Sequence, residues 1–180
     1  FQKEESIRLW GVNDSSKDIW GTVQYGILNI VSGRIQKAKE KKVFVAQGDA
    51  VIVDDLADFQ FFSKDCVLFA VLDREDGEEA LVCIDYVDIE RHLKFPEPNL
   101  KLELCGDELV ITAERFARCI QITGEQEGDK FGWLFTDNYF DMLPGQRKRV
   151  KILGNKEYGT LYIKSQYGCC RSISYTRERI

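Results

Sequence analysis

A single histidine, His92, a single methionine, Met142, and three prolines are all that the 180 residues hold of these types. A serine-histidine-aspartate or cysteine-histidine site would have to be built around His92, which sits in a proline-rich stretch with no nucleophile elbow beside it. The six cysteines, Cys66, Cys83, Cys105, Cys119, Cys169 and Cys170, include no CxxC pair, so the short paired spacings of a structural zinc site are missing. Cys169 and Cys170, being adjacent, read as strand neighbours on opposite faces. Cys66 and Cys83 fall inside apolar runs, and most of the six are expected to be reduced core residues. Neither GxGxxG nor GxxxxGK[ST] occurs, so no phosphate-cradling loop and no nucleotide cofactor is implied, and Gly124 to Gly128 reads as an exposed hairpin tip. No stretch has the apolar length of a membrane helix or the basic-then-apolar layout of a targeting segment, so a membrane is not an expected partner. Because Met142 is internal, a chain opening Phe1-Gln2-Lys3 is expected to be a fragment or a processed product.

Charge of neither sign is concentrated. The net charge is -5, and the densest basic patch, Gln146-Arg147-Lys148-Arg149, lies at the start of a strand-like run, so nucleic acid is not an expected partner. Asp137, Asn138 and Asp141 lack the spacing and central glycine of a calcium loop, and the expectation is a turn whose side chains bond local amides, with no metal. With 30 acidic residues, a pair of carboxylates at glycosidase separation is trivial to find and assigns no catalytic residue.

What is present is a period of two. Val51, Val53 and then Leu56 follow Asp49, and Val67 to Leu72 is a nearly continuous apolar run. Similar runs cover 7–12, 22–31, 34–46, 79–87, 100–105, 108–112, 117–123, 147–153 and 160–167, with Ser32-Gly33, Gln47-Gly48-Asp49, Asp76-Gly77, Gly106-Asp107, Pro144-Gly145 and Gly154-Asn155 between them. Lys37 to Lys42 and Phe116 to Cys119 carry some helical propensity, enough for at most a short turn. Pro96 and Pro98 in His92 to Asn99 mark a junction, because each removes a ladder donor and pushes its predecessor to extended geometry. The fold class expected is all-β: two immunoglobulin-like antiparallel β-sandwich domains in tandem, residues 1–94 and 95–180.

The segment Phe116-Ala117-Arg118-Cys119-Ile120-Gln121-Ile122, followed after a loop by Phe135-Thr136-Asp137-Asn138-Tyr139-Phe140-Asp141-Met142-Leu143-Pro144-Gly145-Gln146, resembles the closing domain of β-mannosidases of glycoside hydrolase family two. There a Ser/Thr-Asp-Asn-Tyr-Phe-Asp-Leu-Leu-Pro-Gly motif links an alanine-arginine strand to a basic strand. Leu9-Trp10-Gly11-Val12-Asn13-Asp14, the Gly33 turn and Ala50 to Leu56 resemble the preceding sandwich. The resemblance implies a parent enzyme whose catalytic (β/α) barrel, with its two glutamates, lies upstream of Phe1, and none of the catalytic motif maps onto this chain. It implies a periplasmic, secreted or lysosomal-type compartment for that parent. Physically, Phe135, Tyr139, Phe140 and Leu143 surround a polar turn, Pro144-Gly145 suits a type II turn, and such a corner pins two strands.

Three roles compete. Accessory sandwiches that stabilise the parent and shape its substrate approach would show apolar patches on one side. A carbohydrate-binding module would stack exposed Trp20, Trp133 or Tyr139 on mannose-containing glycans, with Asp137 and Asn138 bonding hydroxyls. An adhesion or protein-binding sandwich unrelated to sugar is permitted by fold alone.

Overall fold

In a computed structural model the chain falls into two compact units, Phe1–Lys94 and Phe95–Ile180. The structure describes residues 2–3, 7–59, 64–86, 88–127, 132–154, 156–168 and 170–177; Val87, Gly128 and Cys169, placed above at a strand end, a hairpin tip and a strand, lie outside them.

The first unit carries β1 (Gln2–Lys3), β2 (Ile7–Val12), β3 (Ile19–Asn29), β4 (Arg34–Val45), β5 (Ala50–Asp55), β6 (Cys66–Arg74) and β7 (Leu81–Tyr86). One sheet has the order β1-β2-β5, the other β4-β3-β6-β7, and every pairing is antiparallel. Alternation sends Leu9, Val23, Tyr25, Ile27, Leu68 and Ala70 inward, where they meet Leu56 and Phe59. An apolar cleft of about 260 Å³ stays open between the sheets, lined by Val43, Val45, Val53, Leu72, Leu81 and Cys83 among others.

No helical turn forms over Lys37 to Lys42. These residues are part of β4, whose register against β3 runs from Ile19↔Val45 to Asn29↔Arg34. Lysine and glutamate favour helices only weakly, and a full ladder overrides them. β4 lies at one edge of its sheet, and Lys39 and Lys41 reach from it to Asp54 on β5, at 3.2 and 3.1 Å. The fully buried Tyr25 donates its phenolic proton to the same carboxylate at 2.7 Å. Burial alone would raise the pKa of Asp54, but the hydrogen bonds from Tyr25, Lys41 and Lys39 outweigh it and hold it at about 2. Burial and the bond to Asp54 push the Tyr25 phenol well above its ordinary value, so it stays a donor.

This network has a pH signature. The folded value, about 2, lies below the reference of 3.8, so its stabilisation is complete above about pH 5 and fades as pH falls through 4 toward 2. About 2 kcal/mol should be lost over that window. Urea denaturation between about pH 6 and about pH 3 checks it: Asp54→Asn is expected to flatten the acid limb of the stability curve, and an unchanged limb would refute the assignment.

Among the described residues the second unit is an eight-stranded sandwich. β8 (Leu100–Cys105), β9 (Glu108–Ala113), β13 (Arg147–Leu153) and β11 (Leu134–Phe135) form one sheet in the order β11-β13-β9-β8. β12 (Phe140–Met142), β10 (Ala117–Glu125), β14 (Tyr158–Lys164) and β15 (Cys170–Thr176) form the other, in that order. The core between them includes Leu109, Ile111, Ile120, Ile122, Met142, Val150, Leu161 and Ile163. Tyr175 on β15 reaches across to the β8–β9 turn, donating to Asp107 Oδ1 at 2.6 Å, and Arg177 pairs with the same carboxylate at 2.5 Å. Burial and that hydrogen bond push the Tyr175 phenol up to about 12. The proline-bearing segment is tied to this unit, with Phe95 stacked on Tyr167 at 4.3 Å.

Phe116 to Cys119 is likewise not helical: β10 starts at Ala117, and a bulge falls between Ala117 and Ile120. The cysteines also depart from expectation. Among the five described, Cys66 alone is buried; Cys83, Cys105 and Cys170 are exposed and Cys119 is half-buried. Cys83 belongs to edge strand β7, Cys105 closes β8 and Cys170 opens β15, and strand edges and ends keep contact with solvent. His92 ends a single 3-10 turn, Glu90–His92, with Nδ1 3.2 Å from the Asp88 carboxylate.

Candidate functional site

The Thr136 to Gln146 motif occupies the place where the second unit's chain crosses from one sheet to the other, since β11 pairs with β13 and β12 with β10. A crossing breaks both ladders, so its amides need side-chain partners. Asn138 supplies them: its Oδ1 accepts from the Ile122 amide and its Nδ2 donates to the Ile122 carbonyl, both at 2.8 Å, so the side chain copies a strand backbone. Thr136 exchanges bonds with Lys151 on β13, amide to carbonyl at 3.0 Å and hydroxyl from amide at 2.9 Å.

Asp141 fixes the bulge on the β10 side. Its Oδ1 accepts from Arg118 Nη1 at 2.9 Å and from the Cys119 amide at 2.8 Å, while Oδ2 lies 3.1 Å from the same Arg118 nitrogen. Asp137 pairs with Lys148 at 2.9 Å, and Lys148 also lies 4.8 Å above the centre of the Phe140 ring. The motif ends in a type II turn: Gly145 has φ +78°, and the Gln146 amide bonds to the Leu143 carbonyl across Pro144 at 3.1 Å. A related device stands in the first unit, where buried Asn13 donates to the carbonyls of Lys17 and Val45 at 2.8 and 2.9 Å.

The residues expected to touch sugar therefore separate. Asp137 and Asn138 are engaged within the protein. Trp133 lies against the core, edge-on to Tyr175 at 5.5 Å, and a Cβ built on Gly124 would come within 2.3 Å of its ring. Tyr139 stands outward, 63% exposed. In the first unit Trp20 is exposed beside its cross-strand partner Phe44, ring centres 4.2 Å apart. The residues that share a surface depression with Tyr139 are Cys119, Gln121, Lys164 and Gln166. Alternation along β10 and β14 could have found Gln121 and Lys164, which are register partners, but nothing local to Tyr139 points to them.

Two antiparallel β-sandwiches in tandem, the second crossed by an asparagine-centred corner, define an all-β, immunoglobulin-like region. Residues 95–162 match the Ig_mannosidase family model, an Ig-fold domain. A β-mannosidase B of Aspergillus clavatus is 27% identical over 163 residues, covering 86% of this chain and 19% of that protein. The β-mannosidase B of Aspergillus niger is 27% identical over 161 residues, covering 84% and 18%. The chain thus spans under a fifth of the length of these curated relatives and matches their C-terminal domain region. Among solved structures, the exo-chitosanase of Amycolatopsis orientalis shares the fold over 95% of this chain and 26% of its own, at 11% identity and a TM-score of 0.71. The β-D-mannosidase of Dictyoglomus thermophilum does so over 96% and 20%, at 17% identity and a TM-score of 0.64.

Proposed function

We propose that this chain is the accessory part of a β-mannosidase-like retaining exoglycosidase, stabilising a catalytic (β/α) barrel carried elsewhere in the longer protein and shaping the approach of β-mannosides to it. The chain itself hydrolyses nothing. The observation that carries the reading is an apolar strip on the outer face of the β2–β5 pair. Trp10 and Ile52 are register partners there, 37% and 51% exposed, and Val12 beside them is 62% exposed. A strand whose both faces are apolar reads as covered on both. The apolar cleft, whose lining includes Trp10 and Val12, continues this strip toward β7. Relatives about five times longer provide the chain to cover them.

The test has two arms. The purified chain is expected to release no aryl group from an aryl β-mannoside above blank, and turnover would overturn the reading. In the full-length enzyme, Trp10→Lys with Ile52→Lys is expected to lower the thermal midpoint of the barrel, whereas in this chain alone both changes should be near neutral, as for exposed positions generally. Equal effects in the two settings would show that the strip faces solvent in the parent.

A further inference from the structure

Two residues at the sheet crossing hold a backbone conformation that side chains rarely adopt: Cys119 at φ +48° and Tyr139 at φ +60°. They are neighbours in space, because the Tyr139 amide bonds to the Ile120 carbonyl at 2.8 Å. Glycine or asparagine takes this left-handed region at lower cost than a bulky aromatic, and a core position would recover the difference in packing. Tyr139 recovers little, since its ring is 63% exposed. Strained backbone that aims a side chain at solvent is a mark of ligand sites.

The surroundings suit one class of ligand. Tyr139, Gln121, Lys164, Gln166 and Cys119 line a depression of about 200 Å³ on the outer face of β10 and β14, and Gln121 Nε2 lies 3.4 Å from the Tyr139 hydroxyl. An aromatic ring offers a platform for the C–H face of a pyranose, two carboxamides offer both donors and acceptors, and an ammonium offers donors only. Among the described residues that line the depression there is no carboxylate to compete for hydroxyl protons.

We propose that this depression is a binding site for a neutral hexopyranoside, with Tyr139 as the stacking platform and Gln121, Gln166 and Lys164 bonding ring hydroxyls. The site does not depend on the accessory role of the chain; only the choice of mannose as the first sugar rests on that reading. It places sugar contact on a different set of partners from Trp133, Asp137 and Asn138.

The experiment is a titration of the whole 180-residue chain with methyl β-D-mannopyranoside and, separately, methyl β-D-glucopyranoside, followed by amide chemical shifts. Saturable shifts at Gln121, Tyr139, Lys164 and Gln166 are expected, with a dissociation constant on the order of 1 mM. Tyr139→Asn, which suits the left-handed backbone and removes the ring, should weaken binding at least about tenfold without lowering the thermal midpoint. Gln121→Ala should weaken it about fivefold. Binding of the glucoside but not the mannoside would keep the site and remove mannose. Absence of saturable shifts with both sugars, shifts confined to the first unit, or undiminished affinity in Tyr139→Asn would each overturn the proposal.

Discussion

Gly124→Ala is expected to destabilise the second unit by about 3 kcal/mol, at the upper end of what one added methyl costs in a packed core. The new Cβ would come within 2.3 Å of two Trp133 ring carbons, and the same indole reaches 2.5 Å from a Cβ position on Gly159. Trp133 thus lies across two glycines on the paired strands β10 and β14, with Tyr175 at its edge. It cannot retreat without opening the core. The decisive measurement is a double-mutant cycle in urea. Trp133→Leu alone should cost about 2–3 kcal/mol from lost packing, and the pair Gly124→Ala with Trp133→Leu should cost clearly less than the sum, because the smaller side chain vacates the space that the methyl needs. Additive losses would show that the glycine and the indole are not packed in this way.

The second large effect belongs to Asp141. Its side chain is 12% exposed and that of Arg118 is 26% exposed, so deleting the carboxylate leaves a guanidinium poorly hydrated and the Cys119 amide without its acceptor. Asp141→Ala is expected to cost about 2–3 kcal/mol, discounted from a fully buried pair for the water that reaches Arg118. Asp141→Asn, which keeps an acceptor for Cys119, should cost less. Arg118→Met combined with Asp141→Ala should recover part of the loss, since the cation is then removed together with the carboxylate it pairs with. Chemical denaturation of the four proteins checks the order, and equal stability of wild type and Asp141→Ala would refute the role given to the corner.

Much of the strand layout was readable from alternation. The runs at 7–12, 100–105 and 147–153 coincide with β2, β8 and β13, because each presents an apolar face to the core and a glycine or polar turn closes the end. β15 was missed: Arg171, Ser172, Ser174 and Thr176 leave Ile173 and Tyr175 as its apolar marks, and pairing with β14 rather than burial makes it a strand. β11 and β12 were missed because two or three residues cannot show a period, although the polar corner between them was visible as a corner. Gly145 as i+2 of a type II turn was legible from the Pro-Gly pair. The environment of Trp133 was not, since Gly124 and Gly159 become its floor only once β10 and β14 pair. The same holds for the depression beside Tyr139: it draws on β10, β14 and the crossing, three segments whose closeness no local pattern encodes.

The basic edge strand of the first unit bears on self-assembly. β4 has the residues Arg34-Ile35-Gln36-Lys37-Ala38-Lys39-Glu40-Lys41-Lys42-Val43-Phe44-Val45 and pairs with β3 on one side, so its other rim offers a ladder that a second chain could extend. The strand carries five cations against one anion, and with Lys39 and Lys41 directed at Asp54 the remaining Arg34, Lys37 and Lys42 disfavour the approach of a second copy. Charge of one sign on a twelve-residue edge strand is a device that guards against edge-to-edge growth, and a swap of its outward lysines for threonine would leave the sandwich its ladder while weakening that guard.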